Sequence, residues 1–139
     1  MKKWIALICI LIFALCALWP SAAFTEDDDT VLLARAIYAL ARDEGYDTKL
    51  AIGALVMNRV DNPWFSDTLE EVLTEQHQFP IGRRYDAECL NAAHDVLTGK
   101  RVLDARAVYY QSTRATERRA DAPMETVGGY DFYMTDSEV

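Results

Sequence analysis

The chain has 139 residues with 14 basic and 22 acidic side chains, a formal net charge of −8 at neutral pH. A surface of that sign is a poor partner for nucleic acid, whose phosphates call for lysine and arginine, and no basic patch with interleaved aromatics occurs. With no internal repeat or low-complexity linker, this length predicts one globular domain with a real core.

Met1, Lys2 and Lys3 precede an unbroken run of 16 apolar residues from Trp4 to Trp19, and Pro20, Ser21, Ala22 and Ala23 follow. A charged start, an apolar middle and a small-residue end form an export signal. The run is shorter than the roughly 20 residues that span a bilayer comfortably. Residues 1–23 therefore read as a signal peptide cut after Ala23, the alternative being an uncleaved anchor. Leu15 precedes Cys16 and Ile8 precedes Cys9, where lipidation calls for a small residue, so a lipoprotein is not expected. Residues 24–139 are then an extracytoplasmic domain, secreted or tethered, which meets the membrane only through the N-terminal segment. That domain keeps 12 basic and 22 acidic residues, a net charge of −10. Its one cysteine, Cys89, leaves it without an intramolecular disulfide and reads as a small buried side chain. A monomer is expected.

Leu33, Ala36, Ile37 and Leu40 recur at helical spacing and predict a helix over Thr30–Glu44, with Thr30 as cap and Gly45 as stop. A second helix is predicted over Thr48–Val60, capped by Asp47 and closed by Asn62 and Pro63. Its run from Leu50 to Met57 is apolar nearly all round, with Gly53 as a weak spot, and such a helix belongs at the centre of a domain. Thr68 and Glu71 have the spacing of a capping box and open a short third helix to about Glu75. A loop from Gln76 to Arg84 leads to a fourth helix, capped by Asp86 and stopped by Gly99. Ala107–Gln111 and Tyr130–Met134 read as strands joined by the polar segment Ser112–Glu125. The predicted fold class is α+β, helix-rich with a small C-terminal sheet.

His77 and His94 are the only histidines and no His-Glu-x-x-His spacing exists, so no zinc site is expected; nor does any segment have calcium-loop spacing. Gly128 and Gly129 read as a turn before the last strand. Asp43 and Glu44 place two carboxylates at the negative end of the first helix, at a cost of about 0.3–1 kcal/mol each when exposed. Either solvent screens them, or the helix end favours a protonated Glu44 suited to general acid chemistry. Trp64 and Phe65 follow Pro63 on a loop, and Tyr109, Tyr110, Tyr130, Phe132 and Tyr133 crowd the strands. Such rings either pack in the core or stack on sugar faces.

The run from Ala34 to Glu44 resembles the opening motif of the SleB-like cell wall hydrolases, the spore-cortex-lytic family, which reads Tyr-Gly-Glu-Ala-Arg-Gly-Glu. Leu50–Val60 resembles that family's next helix with its Leu-Asn-Arg-Val ending, here Met57, Asn58, Arg59 and Val60. Phe65, the Gln78–Phe79 pair, Ala107–Tyr110 and Val127–Tyr133 follow in the family's order. The resemblance implies a fold related to lysozyme-like lytic transglycosylases. It also implies glycan-strand cleavage in peptidoglycan, by hydrolysis or lytic transglycosylation and without a cofactor. In that family the first glutamate of the opening motif is taken as the catalytic acid, and here Leu40 occupies its place. The family's late histidine is likewise replaced by Tyr130. Glu44, four residues after Leu40 on the same expected helix face, becomes the candidate catalytic carboxylate or keeps the supporting role of the motif's second glutamate. Tyr38, Trp64, Gln78, Phe79, Tyr110 and Tyr130 become candidate substrate-binding residues. Three functions stand: a hydrolase using Glu44, a catalytically silent wall-binding or regulatory domain, and a secreted interaction protein sharing only the fold.

Overall fold

The computed structural model describes residues 28–134, so the expected export segment, residues 1–23, lies outside the described residues. Helix α1 spans Asp28–Ala41, with Asp28 and Asp29 in the first turn, where the positive helix end favours them. Thr30 sits inside this turn and not at its cap. The helix stops at Ala41 and not at Glu44. Helix α2, Tyr46–Val60, sends the buried Lys49 side chain back over the end of α1. There its Nζ donates to the carbonyls of Arg42 at 3.3 Å and Glu44 at 2.6 Å. An ammonium at a helix C-terminus satisfies carbonyls that have no further turn to bond. The same Nζ pairs with Glu88 at 2.7 Å. Burial works against the Lys49 ammonium, but the hydrogen bond and charge of Glu88 outweigh it and hold the group above the usual lysine range. Gly45 is extended and caps α2 without a side-chain bond, so the expected Asp47 cap is not used.

The middle of α2 is the centre of the core, with Leu50, Ala51, Ile52, Ala54, Leu55 and Val56 all buried. At Gly53 a Cβ would stand 3.0 Å from Val96 Cγ2 and 3.4 Å from Ile37 Cδ1. The expected weak spot is thus where α1 and the last helix close onto α2. Helix α3, Leu69–Thr74, opens with Thr68 Oγ1 accepting from the Glu71 N–H at 3.3 Å. Helix α4, Ala87–Leu97, opens with Asp86 Oδ1 accepting from the Cys89 N–H at 2.8 Å, and Gly99 at φ +111° turns the chain away beyond it. Cys89 is buried and free. Its thiol is pushed up to about 12, first by burial and then by Asp86, which removes it as a nucleophile at neutral pH.

Strands β1 (Tyr109–Ser112), β2 (Glu125–Val127) and β3 (Tyr130–Tyr133) form an antiparallel sheet in the order β1-β3-β2. The sequence reading lacks β2, a three-residue strand at the end of the segment read as a polar link. Tyr109 pairs with Tyr133 and Ser112 with Tyr130, while Val127 and Tyr130 flank the two-residue turn at Gly128–Gly129. Gly128 has φ +53°, and a positive angle at the first loop position is what a tight hairpin of right-twisted strands needs. Central β3 buries Asp131, which accepts from Arg118 Nη2 at 2.5 Å and Thr126 Oγ1 at 2.6 Å. Arg118 Nη1 also donates to the Thr113 carbonyl at 2.8 Å, so the segment between β1 and β2 is fastened to the sheet. The fold is α+β: helices packed about α2, with a small sheet at the C-terminal end.

Candidate functional site

The last turn of α2 carries Asn58 and Arg59, both buried. Asn58 Nδ2 donates to the carbonyls of Asp104 and Ala107, each at 2.9 Å, and so docks the chain entering β1. Arg59 Nε donates to the Val108 carbonyl at 2.6 Å, and its Nη1 donates to Gln78 Oε1 at 2.7 Å. The guanidinium lies 4.9 Å from the Phe65 ring centre, 4.8 Å from Phe79 and 5.5 Å from Tyr109. One buried cation thereby fixes the loop after α2, the loop after α3 and the edge strand β1 relative to one another.

Along that edge run three adjoining cavities. The first, of about 380 Å³, is walled by Trp64, Phe65, Ser66, Glu75, Gln78 and Tyr109. The second, of about 400 Å³, shares Gln78 and Tyr109 with it and continues past His77, Tyr110, Gln111 and Ser112. The third, of about 210 Å³, shares Ser112 with the second and is closed by Leu40, Glu44, Arg114, Gly129 and Tyr130. Shared walls make this one groove along β1, from an exposed tryptophan at one end to the junction of α1 and β3 at the other. Among the described residues no cluster of three or more His, Cys, Asp or Glu side chains gathers to hold a metal.

At the closed end, Tyr130 donates its hydroxyl to the Leu40 carbonyl at 2.7 Å. The two positions at which the sequence departs from the resembled pattern are therefore in contact. Burial, and then the charge of Glu44, pushes the Tyr130 phenol up, so it stays a donor to that carbonyl. Glu44 lies in the turn after α1, not one helical turn beyond Leu40 as the sequence suggested, yet both reach the same cavity. Its side chain is 16 % exposed; Oε2 accepts from the Gly129 N–H at 3.2 Å, and Oε1 lies 3.5 Å from Arg114 Nη1. A Cβ on Gly129 would come within 2.5 Å of Glu44 Oε1, and one on Gly128 within 2.9 Å of Oε2. The paired glycines are the space in which this carboxylate sits.

The model of the cell wall hydrolase family matches residues 43–133. The chain belongs to the cell wall hydrolase family. The match begins after Leu40 and takes in the groove residues from Glu44 to Tyr130. Among curated relatives, the spore cortex-lytic enzyme of Halalkalibacterium halodurans is 31% identical over 97 residues, covering 66% of this chain and 29% of that one. The spore cortex-lytic enzyme of Bacillus subtilis is 38% identical over 54 residues, covering 39% of this chain and 18% of that one. The matches thus span less than a third of those relatives' length. Among solved structures, the catalytic domain of the Bacillus cereus SleB protein aligns with a TM-score of 0.68 at 24% identity, covering 75% of this chain and 88% of that one. The catalytic domain of the germination-specific lytic transglycosylase SleB from Bacillus anthracis aligns with a TM-score of 0.67 at 24% identity, covering 81% and 98%. These establish that the cell wall hydrolase chain shares the SleB fold.

Within this family member the residues named from sequence separate into three groups. Trp64, 81 % exposed, and Gln78 and Tyr110 line the groove, while Glu44, Leu40 and Tyr130 close it. Tyr110 donates its hydroxyl to the Gln78 carbonyl at 3.0 Å, and burial pushes its phenol up. Phe79 is buried and stacks on Tyr110 at 5.6 Å, so it supports the groove from within the core and does not line it. Tyr38 packs half-buried against the core and forms no part of the three cavity walls. Sequence reasoning missed Ser112 and Arg114, which it placed in a polar link. It named Asn58 and Arg59 as support for the groove, and the structure supplies the contacts through which Arg59 acts: the Val108 carbonyl, Gln78 and three rings.

Proposed function

We propose that this chain acts outside the cytoplasm on bacterial peptidoglycan, seating a glycan strand along β1, and that the natural sequence holds the strand without cleaving it. Family membership supports the substrate class. The groove supports the binding mode: a long, open, polar cleft with aromatic faces at Trp64, Tyr109 and Tyr110 suits a linear saccharide. The observation that carries the silent reading is the closed end. Glycosidic cleavage needs a positioned acid beside the scissile oxygen, and leucine has no proton to give; loss of such an acid costs about 10²–10⁴ in rate. The side chain at position 40 is apolar, its carbonyl is taken by Tyr130, and both oxygens of Glu44 already accept. On this reading Glu44 braces the β2–β3 turn, the supporting role.

A displaced-acid hydrolase or lytic transglycosylase is the second reading, favoured by one fact: Glu44 opens into the same cavity as Leu40. Release of soluble fragments from purified sacculi separates the two. The natural chain should bind sacculi and release little, and Leu40→Glu should release fragments, because the groove and its supports are already in place. Cleavage by the natural chain that Glu44→Gln abolishes would refute the silent reading in favour of the displaced acid. A chain that neither binds nor cleaves sacculi would refute the peptidoglycan reading itself.

A further inference from the structure

We infer that Arg114 is a binding site for a carboxylate of the wall polymer, so that the groove selects strands with charged lactyl-peptide branches over neutral glycan; this rests on the proposal that a glycan strand occupies the groove. Arg114 is 81 % exposed on the wall of the cavity that holds Leu40, Glu44 and Tyr130. Its Nη1 reaches Glu44 Oε1 at 3.5 Å, the outer edge of a hydrogen bond, and its guanidinium has no other partner among the described residues. A guanidinium carries five N–H donors in a planar fork that matches a carboxylate two-fold. Most of that capacity is unspent.

The neighbouring arginines are not in this state. Arg118 is tied to buried Asp131 at 2.5 Å, and Arg119, 7 % exposed, pairs with Asp121 at 2.8 Å over the Tyr133 ring. Arg42, on the same cavity wall, pairs with Asp43 at 3.2 Å. Two arginines therefore anchor the segment after β1, whose backbone carries the third to the cavity. The Thr113 N–H, donated to the Gly129 carbonyl at 2.9 Å, fixes the backbone beside it.

The chemistry of the polymer supplies the ligand. Its N-acetylhexosamine backbone is neutral, and its negative charge lies on the carboxylates of the stem peptide, or on the lactyl carboxyl only where no peptide is joined to it. A chain of net charge −8 repels such a polyanion at long range. A local, partly solvated guanidinium beside the saccharide track offsets that repulsion where a stem-peptide carboxylate folds back onto the groove.

The test compares three soluble ligands of equal length on the full chain at low salt: peptide-bearing glycan strands, the same strands with their carboxyls amidated, and neutral chito-oligosaccharide. The peptide-bearing strand should bind about five- to tenfold more tightly than its amidated form, the range of one charge-assisted bidentate contact. Arg114→Gln should make charged and amidated strands bind alike, with a smaller loss for chito-oligosaccharide than for the peptide-bearing strand, and Arg114→Lys should keep part of the preference. Equal binding of charged and amidated strands by the natural chain would overturn this inference alone. An equal loss for all three ligands in Arg114→Gln would make Arg114 structural and would also overturn it. Failure of the natural chain to bind any strand would overturn both this inference and the groove on which it rests.

Discussion

Replacing Arg59 by methionine tests whether one buried cation organises the groove. Arg59 is 2 % exposed, donates to the Val108 carbonyl at 2.6 Å and Gln78 Oε1 at 2.7 Å, and lies against three rings. Methionine keeps the packing of the aliphatic stem and avoids the desolvation of a charge, and that saving alone can make such a swap neutral. Here the acceptors decide the sign. The Val108 carbonyl is left unpaired in the interior at about 1–3 kcal/mol, and the attraction between the guanidinium and the ring faces, which methionine cannot supply, is worth about 0.5–2 kcal/mol. Gln78 borders open cavities and recovers water, so it adds little. A net loss of about 2–4 kcal/mol in urea unfolding is expected for Arg59→Met. About half of that is expected for Arg59→Lys, which keeps the charge and reaches only one acceptor. Binding of sacculi should fall even at temperatures where Arg59→Met remains folded, because Gln78 and β1 lose their common anchor. A loss under about 1 kcal/mol with binding intact would refute the reasoning.

Leu40→Ala should cost about 1 kcal/mol or less by the same unfolding assay, since this side chain is half-buried at a cavity wall, whereas Leu55→Ala at the centre of α2 should cost about 2–5 kcal/mol. Equal costs would place Leu40 in the core. Asp86 is held below the ordinary aspartate value of 3.8, chiefly by the Cys89 backbone N–H. A depressed folded value means stabilisation that is full above the unfolded value and lost as pH falls through the folded one. Asp86→Asn keeps the cap without the charge, so the natural chain should exceed it by a few tenths of a kcal/mol at neutral pH, and the gap should close below about pH 4. A gap independent of pH would assign the effect to cap geometry alone.

The helices were legible because their signals are local. Thr68 and Asp86 cap where their spacing says, Gly99 turns the chain where expected, and the apolar run of α2 became the centre of the core. The end of α1 was not legible: the carbonyls of Arg42 and Glu44 beyond it are taken by Lys49, reaching back from the next helix. Gly53 read as a flaw for the same reason: its fitness depends on Val96, far away in sequence. Strand β2 is too short for alternation to register, and it exists because β3 pairs with it. At the site, ring-bearing positions such as Trp64 and Tyr110 could be named from composition, but Phe79 and Tyr38 could not be told from them without burial. Arg114 was hidden in a polar stretch whose order comes from the tie between Arg118 and Asp131.

The closed end of the groove is made of contacts between opposite ends of the described chain: Gly129 meets Glu44 across 85 residues, and Tyr130 meets Leu40 across 90. Loop-closure entropy makes such contacts the costliest to form, while α1, α2 and α4 pack through nearer neighbours. A chain that becomes available from its N-terminus onward can therefore assemble its helical body before it owns a complete site. Shortening it by the final hairpin would separate foldedness from function, leaving helical signal with an open-ended groove. Any selection acting on the last strand acts, through this geometry, on the end of the first helix.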